Sequence, residues 1–312
     1  MTFSKDFIKQ ELAKNPENVH LDDLSCSHEG RLKIKVNNGV EFESFIIKGS
    51  QRRLYVFLSA VGVYRGDSVI FHRVMWANKF HGISLFIDDP QRKEKKFAPM
   101  FYWGDRNTDN TKLIAQVVAK IKNIYMLDTK DICFISSSNG GFASIKIADY
   151  FENSKCYVLC PQISIPLYFQ NKNNISKFFD NSFDGKTWGG RLDVSEILNN
   201  PKAFYFIYSN VACKSDFEQM KYLLKHKDIS HIGNGEMFKL NAHCVISLCR
   251  VNSKNPHIVQ PDESFISFLD NFNLWEMSFD NLKTIQDLLA EVLQKYTNMK
   301  ETLEKMNASE KS

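Results

Sequence analysis

The chain has 312 residues, which suits one main domain with additions better than two independent domains. Its 40 basic and 36 acidic side chains leave a formal charge of +4, so charge gives no case for a nucleic-acid partner. No run approaches the ~20 apolar residues of a membrane span. Residues 1–15 read as a polar amphipathic helix without the apolar stretch of a secretory signal, so a cytoplasmic protein is expected. Seven cysteines, an odd number with no CxxC pair, give neither a disulfide framework nor metal-ligand clustering. Cys133, Cys156 and Cys160 sit in apolar runs and read as buried reduced thiols, and no metal is expected.

In chain order, Arg31 to Val36 alternates apolar and polar residues. Asn37-Asn38-Gly39 follows, then a β-rich run from Val40 to Ile47, which predicts a hairpin. Leu54 to Leu58 and Ile83 to Ile87 are short apolar runs, as expected of strands buried on both faces. Val69 to Phe80, between them, has helical spacing. Thr111 to Ile124 is a helix with one apolar stripe. Asp131 to Ile135 predicts a strand, Gly141 to Phe151 a helix and Cys156 to Cys160 a strand. Ala203 to Tyr208 is a further strand, Phe217 to Leu224 a helix and Met237 to Leu240 a last short strand, with a helix expected to begin near His243. Strands alternating with helices predict a mostly parallel sheet with helices on both faces, antiparallel only at its N-terminal edge. Three parts are expected: a helix and edge hairpin over 1–50, an α/β core over 51–260 and a helical segment over 261–312. Between 163 and 192 the pattern breaks into Asn, Phe, Lys and Gly; such a segment is either a lid-like insertion or a variable surface excursion.

The most informative stretch is Phe134-Ile135-Ser136-Ser137-Ser138-Asn139-Gly140-Gly141-Phe142. A buried strand runs through small residues directly into a helix. Ser136 to Gly140 reads S-x-S-x-G, one residue from the G-x-S-x-G turn that lifts a nucleophilic serine above a sheet. Ser138 is then the nucleophile, and the Asn139 N–H is one candidate donor to an oxyanion hole. A second would come from the loop after strand 54–58, where Ala60 is the candidate. A serine needs a base to take its proton, and in this arrangement the chain order is Ser, acid, His. Asp216, in the loop after strand 203–208, is the candidate acid and equally a plain helix N-cap; Glu218 and Asp228 are fallbacks. His243, after the strand ending at Leu240, is the candidate base. His257 is its main competitor, and His226 and His231 lie where a surface role is the default.

Several of these residues resemble α/β-hydrolase-fold proteins of bacterial surface-glycan pathways, namely capsule O-acetyltransferases and the glycan-modifying component of accessory Sec systems. The similar features are Phe71-His72-Arg73, Asp88-Asp89-Pro90, Phe101-Tyr102-Trp103-Gly104, the run from Ser136 to Phe142 and Pro161-Gln162, spread over roughly residues 50 to 250. The resemblance implies an α/β-hydrolase fold with a Ser138, Asp216, His243 triad. It also implies acetyl transfer from acetyl-CoA to a sugar hydroxyl of a polysaccharide or glycan acceptor through an acetyl-serine, with no bound cofactor. A Gln extends the triad in one such enzyme, and Gln162 is the candidate for that part. Arg65, Arg73 and the basic run 91–96 could meet CoA phosphates or an acidic glycan, although a solvated loop explains the run as well. Two other readings stay open: a carbohydrate esterase using the same triad, and a non-catalytic assembly protein on a hydrolase fold.

Near the C-terminus, Leu282, Ile285, Leu289, Val292, Tyr296, Met299, Leu303 and Met306 recur at alternating steps of three and four. That spacing predicts a coiled-coil seam and a homo-oligomer; the alternative is a long helix packed on its own domain.

Overall fold

The computed structural model describes residues 5–60, 69, 71–92, 101–169, 189–225, 227–231, 236–252, 256 and 257. The heptad helix over 282–306, Arg65, His226, most of the basic run at 91–96 and the greater part of the 163–192 insertion lie outside the described residues.

The elements begin with α1 (Lys5–Ala13), β1 (Glu17–His20), β2 (Gly30–Lys35), β3 (Glu41–Ile47), β4 (Leu54–Leu58) and β5 (Ile83–Ile87). They continue with α2 (Asn110–Ile124), β6 (Ile132–Ser137), α3 (Ser138–Ala148), β7 (Lys155–Leu159) and α4 (Ile165–Phe169). The last are α5 (Ser195–Asn199), β8 (Phe204–Asn210), α6 (Lys214–Leu223), β9 (Glu236–Asn241) and β10 (Cys244–Cys249). Among the described residues one sheet of ten strands runs β1-β2-β3-β5-β4-β6-β7-β8-β10-β9. From β5 through β4, β6, β7 and β8 to β10 every pairing is parallel. The β2–β3 hairpin forms as the NNG turn predicts. Of the helix expected over 69–80, the structure has a short 3₁₀ turn at Val74–Asn78.

The central strands are buried throughout because both sheet faces are covered. Val56, Phe134, Val158, Ile207 and Ile246 face one way, into a core shared with Val117 and Val118 of α2 and with Phe142 and Ile145 of α3. Phe57, Ile135, Tyr157, Phe206 and Val245 face the other way, with Ile8 of α1 and Val74. The period of two along each strand sorts these side chains into the two layers.

The far edge of the sheet differs from the sequence expectation. Cys244–Cys249 is not the start of a helix but strand β10, antiparallel to β9 and parallel to β8. The run Cys-Val-Ile-Ser-Leu-Cys is buried at all six positions. A six-residue apolar run carries no helix or strand period of its own, and burial on both faces decides it here.

Candidate active site

The site is built where β6, β7, β8 and β10 end, along one edge of the parallel sheet. In an open α/β sheet ligands bind outside the carboxyl ends of the strands, the side on which these residues lie. Ser138 begins α3 with φ +54, a left-handed conformation that non-glycine residues rarely adopt, while Ser137 before it is extended. The turn is tight enough to need glycine at 140. A Cβ there would come within 2.7 Å of Leu58 O and 2.9 Å of Ser59 O. Ser136, where the usual motif has glycine, has a structural use. Its buried hydroxyl accepts from the Leu58 N–H at 3.0 Å and from the Ser144 hydroxyl at 2.8 Å, tying β6 to β4 and to α3.

The segments Asp88-Asp89 and Tyr102 support the same corner. The Asp89 carboxylate accepts from the Tyr102 N–H at 2.7 Å, and the Tyr102 hydroxyl donates to Ser59 O at 3.1 Å and to Ile87 O at 3.0 Å. Asp88 pairs with Arg92 in the interior. Burial lifts the Asp89 carboxyl to about 7, against the pull of its backbone donors. These contacts fix the ends of β4 and β5 against the serine turn.

Of the predicted triad, the structure brings Ser138 and Asp216 to one imidazole, and that imidazole is His257. Its Nε2 lies 2.9 Å from Ser138 Oγ, and its Nδ1 lies 2.8 Å from Asp216 Oδ1. Asp216, in the first turn of α6, is buried, while the His257 side chain keeps 30% of its exposure. Neither Glu218 nor Asp228 has a hydrogen bond to His257 among the described residues. His243 is the expectation that fails. It sits in the β9–β10 turn, its ring stacked on Phe204 at 4.4 Å, its N–H donating to Asn241 Oδ1 and its carbonyl accepting from Tyr205. Because β10 runs parallel to β8, Cys244 is level with Tyr205 and Cys249 with Asn210. His243 therefore lies at the amino end of the last strand and His257 follows its carboxyl end. His257, not His243, follows the last strand once β10 is counted, and the mostly apolar run Cys244–Cys249 was the signal for that strand.

Asn210, at the end of β8, ties the segment carrying His257 to the loop that leads into Asp216's helix α6. Its amide donates to Val251 O at 2.9 Å and Pro256 O at 2.8 Å, and its oxygen accepts from Val251 N at 3.0 Å and Ala212 N at 3.1 Å. Gln162, buried after β7, accepts from the Ser138 hydroxyl at 3.3 Å through Oε1.

Burial opposes a charge on His257, but its hydrogen bonds to Asp216 and Cys213 and the negative charge of Asp216 outweigh that and raise its pKa to about 10. Below that pH the ring carries both protons. Nε2–H then donates to Ser138 Oγ, and the serine proton turns to Gln162. Loss of the Nε2 proton leaves a lone pair aimed at the serine. The Cys213 thiol at the start of α6 faces the same ring. Burial works to raise its pKa, and hydrogen bonds from His257 and Ser215 bring it below the ordinary thiol value.

The two oxyanion-hole expectations part company. Asn139 is buried in the first turn of α3, where backbone N–H groups point out of the helix end toward the serine turn. The Ala60 N–H donates to His72 Nδ1 at 2.8 Å, so that amide is already engaged. Burial first, then the charges of Arg73 and Arg92, depress the His72 pKa to about 4, which keeps it a neutral acceptor. Cys160, Asp216 and His257 place one ligand atom each within 4.8 Å of one another, a set that could hold a metal ion, although Asp216 and His257 are already bonded to each other. Among the described residues no helix is long and apolar enough to cross a membrane.

The sheet order, the strained serine turn and the Ser, Asp, His order along the chain define an α/β-hydrolase fold. No protein-family model and no curated protein sequence matches the chain. Among solved structures, the chain is similar to the capsule O-acetyltransferase of Neisseria meningitidis serogroup A, at 15% identity and a TM-score of 0.54 over 85% of this chain and 99% of that one. A mutant of that enzyme in complex with CoA matches at 14% identity and a TM-score of 0.53, over 80% and 98% of the two chains. A looser likeness, with a TM-score of 0.45, is to the Gap123 glycosylation-associated complex of Streptococcus agalactiae, at 12% identity over 66% of this chain and 41% of that one.

Proposed function

We propose that the chain is a serine acyltransferase that moves an acetyl group from acetyl-CoA to a hydroxyl of a bacterial capsular or surface glycan in the cytoplasm. The observation that carries this reading is the hydrogen-bonded line from Ser138 through His257 to Asp216, with the serine in a strained turn. The likeness in fold to a capsule O-acetyltransferase, and to its mutant with CoA, supports the choice of donor and acceptor.

In this mechanism neutral His257 takes the Ser138 proton as Oγ attacks the thioester carbonyl carbon. Asp216 holds the ring in register and stabilises the imidazolium. The Asn139 N–H and the α3 dipole face the developing oxyanion. The tetrahedral adduct expels CoA as a thiol, with the proton supplied by His257. A glycan hydroxyl then gives its proton to His257 and attacks the acetyl-serine, and Ser138 recovers its proton as it leaves. Gln162 holds the hydroxyl in line between turnovers. This chemistry needs no metal or bound cofactor.

The test is release of CoA from acetyl-CoA by the purified chain, with and without de-acetylated capsular polysaccharide. Release that depends on the acceptor, together with an acetyl adduct on Ser138 in the intact mass, is the expected result. Acetate released from an already acetylated glycan, with no use of acetyl-CoA, would replace transfer by esterase chemistry. Glycan acetylation in cells that survives Ser138→Ala would remove the catalytic reading altogether.

A further inference from the structure

Asp216 is buried, and only one of its carboxylate oxygens is spoken for. Oδ1 meets His257, while Oδ2 has no hydrogen-bond partner among the described residues. A buried carboxylate oxygen in that state keeps its full desolvation cost and leaves the carboxylate plane held from one side only. The Cys160 thiol is the group beside it. Its sulfur, a carboxylate oxygen of Asp216 and a ring nitrogen of His257 all lie within 4.8 Å of one another. Cys160 is itself buried and firmly placed. It follows β7 with φ +45, and its N–H donates to Tyr208 O at 2.6 Å, on the strand that leads to Asp216.

We propose that Cys160 is a positioning residue of the triad, its S–H turned onto Asp216 Oδ2 so that Oδ1 stays aimed at His257. The inference rests on the acyl-transfer reading. A thiol suits the task because it is a weak donor. It occupies the second oxygen without drawing much charge away from the first, so Asp216 remains basic enough to hold the imidazolium. The thiol keeps its proton for this purpose: burial, then the negative charge of Asp216, push its pKa well above the ordinary value. The other titratable groups around the pair are Cys213 beside His257, Cys249 at the end of β10 and Arg73 from the β4–β5 connection. All three are unchanged in the variants below.

The experiment follows covalent labelling of Ser138 in the full chain by a small fluorophosphonate, read by intact mass across a pH series. Cys160→Ser supplies a stronger donor, which disperses the carboxylate charge and lowers the pH midpoint of labelling. Cys160→Ala removes the donor and raises it. A shift of about half a unit in each direction is expected, so that at a fixed pH below the midpoint the alanine variant is about threefold slower than wild type. The order Ser below Cys below Ala is the signature, since a loss of packing alone gives no such order. The same two substitutions in an Asp216→Ala background should then change the rate by less than about twofold, because the acceptor is gone. Coincident midpoints, or an alanine penalty that persists without Asp216, would overturn the role of Cys160 while leaving the serine mechanism intact. Wild-type protein that is not labelled on Ser138 at any pH would remove both.

Discussion

Two histidines of similar claim from sequence have opposite surroundings, and that contrast can be measured. His257 spans a hydroxyl and a buried carboxylate; His243 has its ring stacked on Phe204 and its Nδ1 buried without a partner among the described residues. His257→Ala should lower acyl transfer by about ten-thousandfold, whereas His243→Ala should leave kcat within about twofold and cost about 1 kcal/mol of stability through the lost ring contact. The pH dependence follows from the direction of the His257 shift. Its folded pKa of about 10 lies above its ordinary 6.5, and the working form is neutral. The acylation rate should therefore climb through neutral pH toward a midpoint near pH 10, rather than level off near 7. The same sign governs stability: this histidine's contribution is complete below pH 6.5 and is lost as pH rises through about 10. Asp216→Asn removes the larger of the two partners that raise the pKa and leaves Cys213, so the midpoint should fall below 10 while the maximal rate drops. A midpoint that stays put would mean that another group sets the profile.

At the level of elements, the contact of His257 with Asp216 depends on keeping two chain segments together at the ends of β8 and β10. Asn210 does this with four hydrogen bonds from one buried side chain. Asn210→Ala would leave the carbonyls of Val251 and Pro256 and the N–H groups of Val251 and Ala212 without that partner. The expected cost is about 1–3 kcal/mol in urea unfolding, with a fall in kcat clearly larger than the rise in KM, because the base rather than the substrate is displaced. A fall in stability with kcat unchanged would show that His257 is placed by something else. The elements also show what the sequence made legible. The β2–β3 hairpin, the α2 stripe and the strand, serine turn and helix at 132–148 were readable because each has a local cause: a turn that favours Asn-Gly, a helical period, small residues at a tight junction. Ser138 and Asp216 were named from that order, and Gln162 only from the family resemblance. β1 could not be found, since the short polar run Glu17–His20 is a strand only because β2 pairs with it. Missing β10 moved the base from His257 to His243. Cys160 had no local signal, because its relation to Asp216 exists only where the ends of β7 and β8 come together.

On the scale of the whole molecule, the described residues bring Ser138, His257 and Asp216 together within one copy, so self-association would have to serve something other than assembling these three groups. We propose that association from the 282–306 repeat, where apolar residues at steps of three and four make a narrow seam suited to another helix of the same kind. A helix covering its own domain would need a broader apolar stripe, although Leu288 and Leu293 widen this one somewhat. The two arrangements respond differently to charge placed on the seam. In the full chain, Ile285→Glu together with Val292→Glu puts like charges opposite each other in an oligomer, at positions where burial of a carboxylate costs several kcal/mol. Light scattering should then give the monomer mass for the variant and a multiple of it for wild type, with the rate of Ser138 labelling unchanged in both. Equal masses for the two proteins would exclude the seam as the interface. Loss of labelling at monomer mass would instead place the helix against the catalytic domain of its own chain.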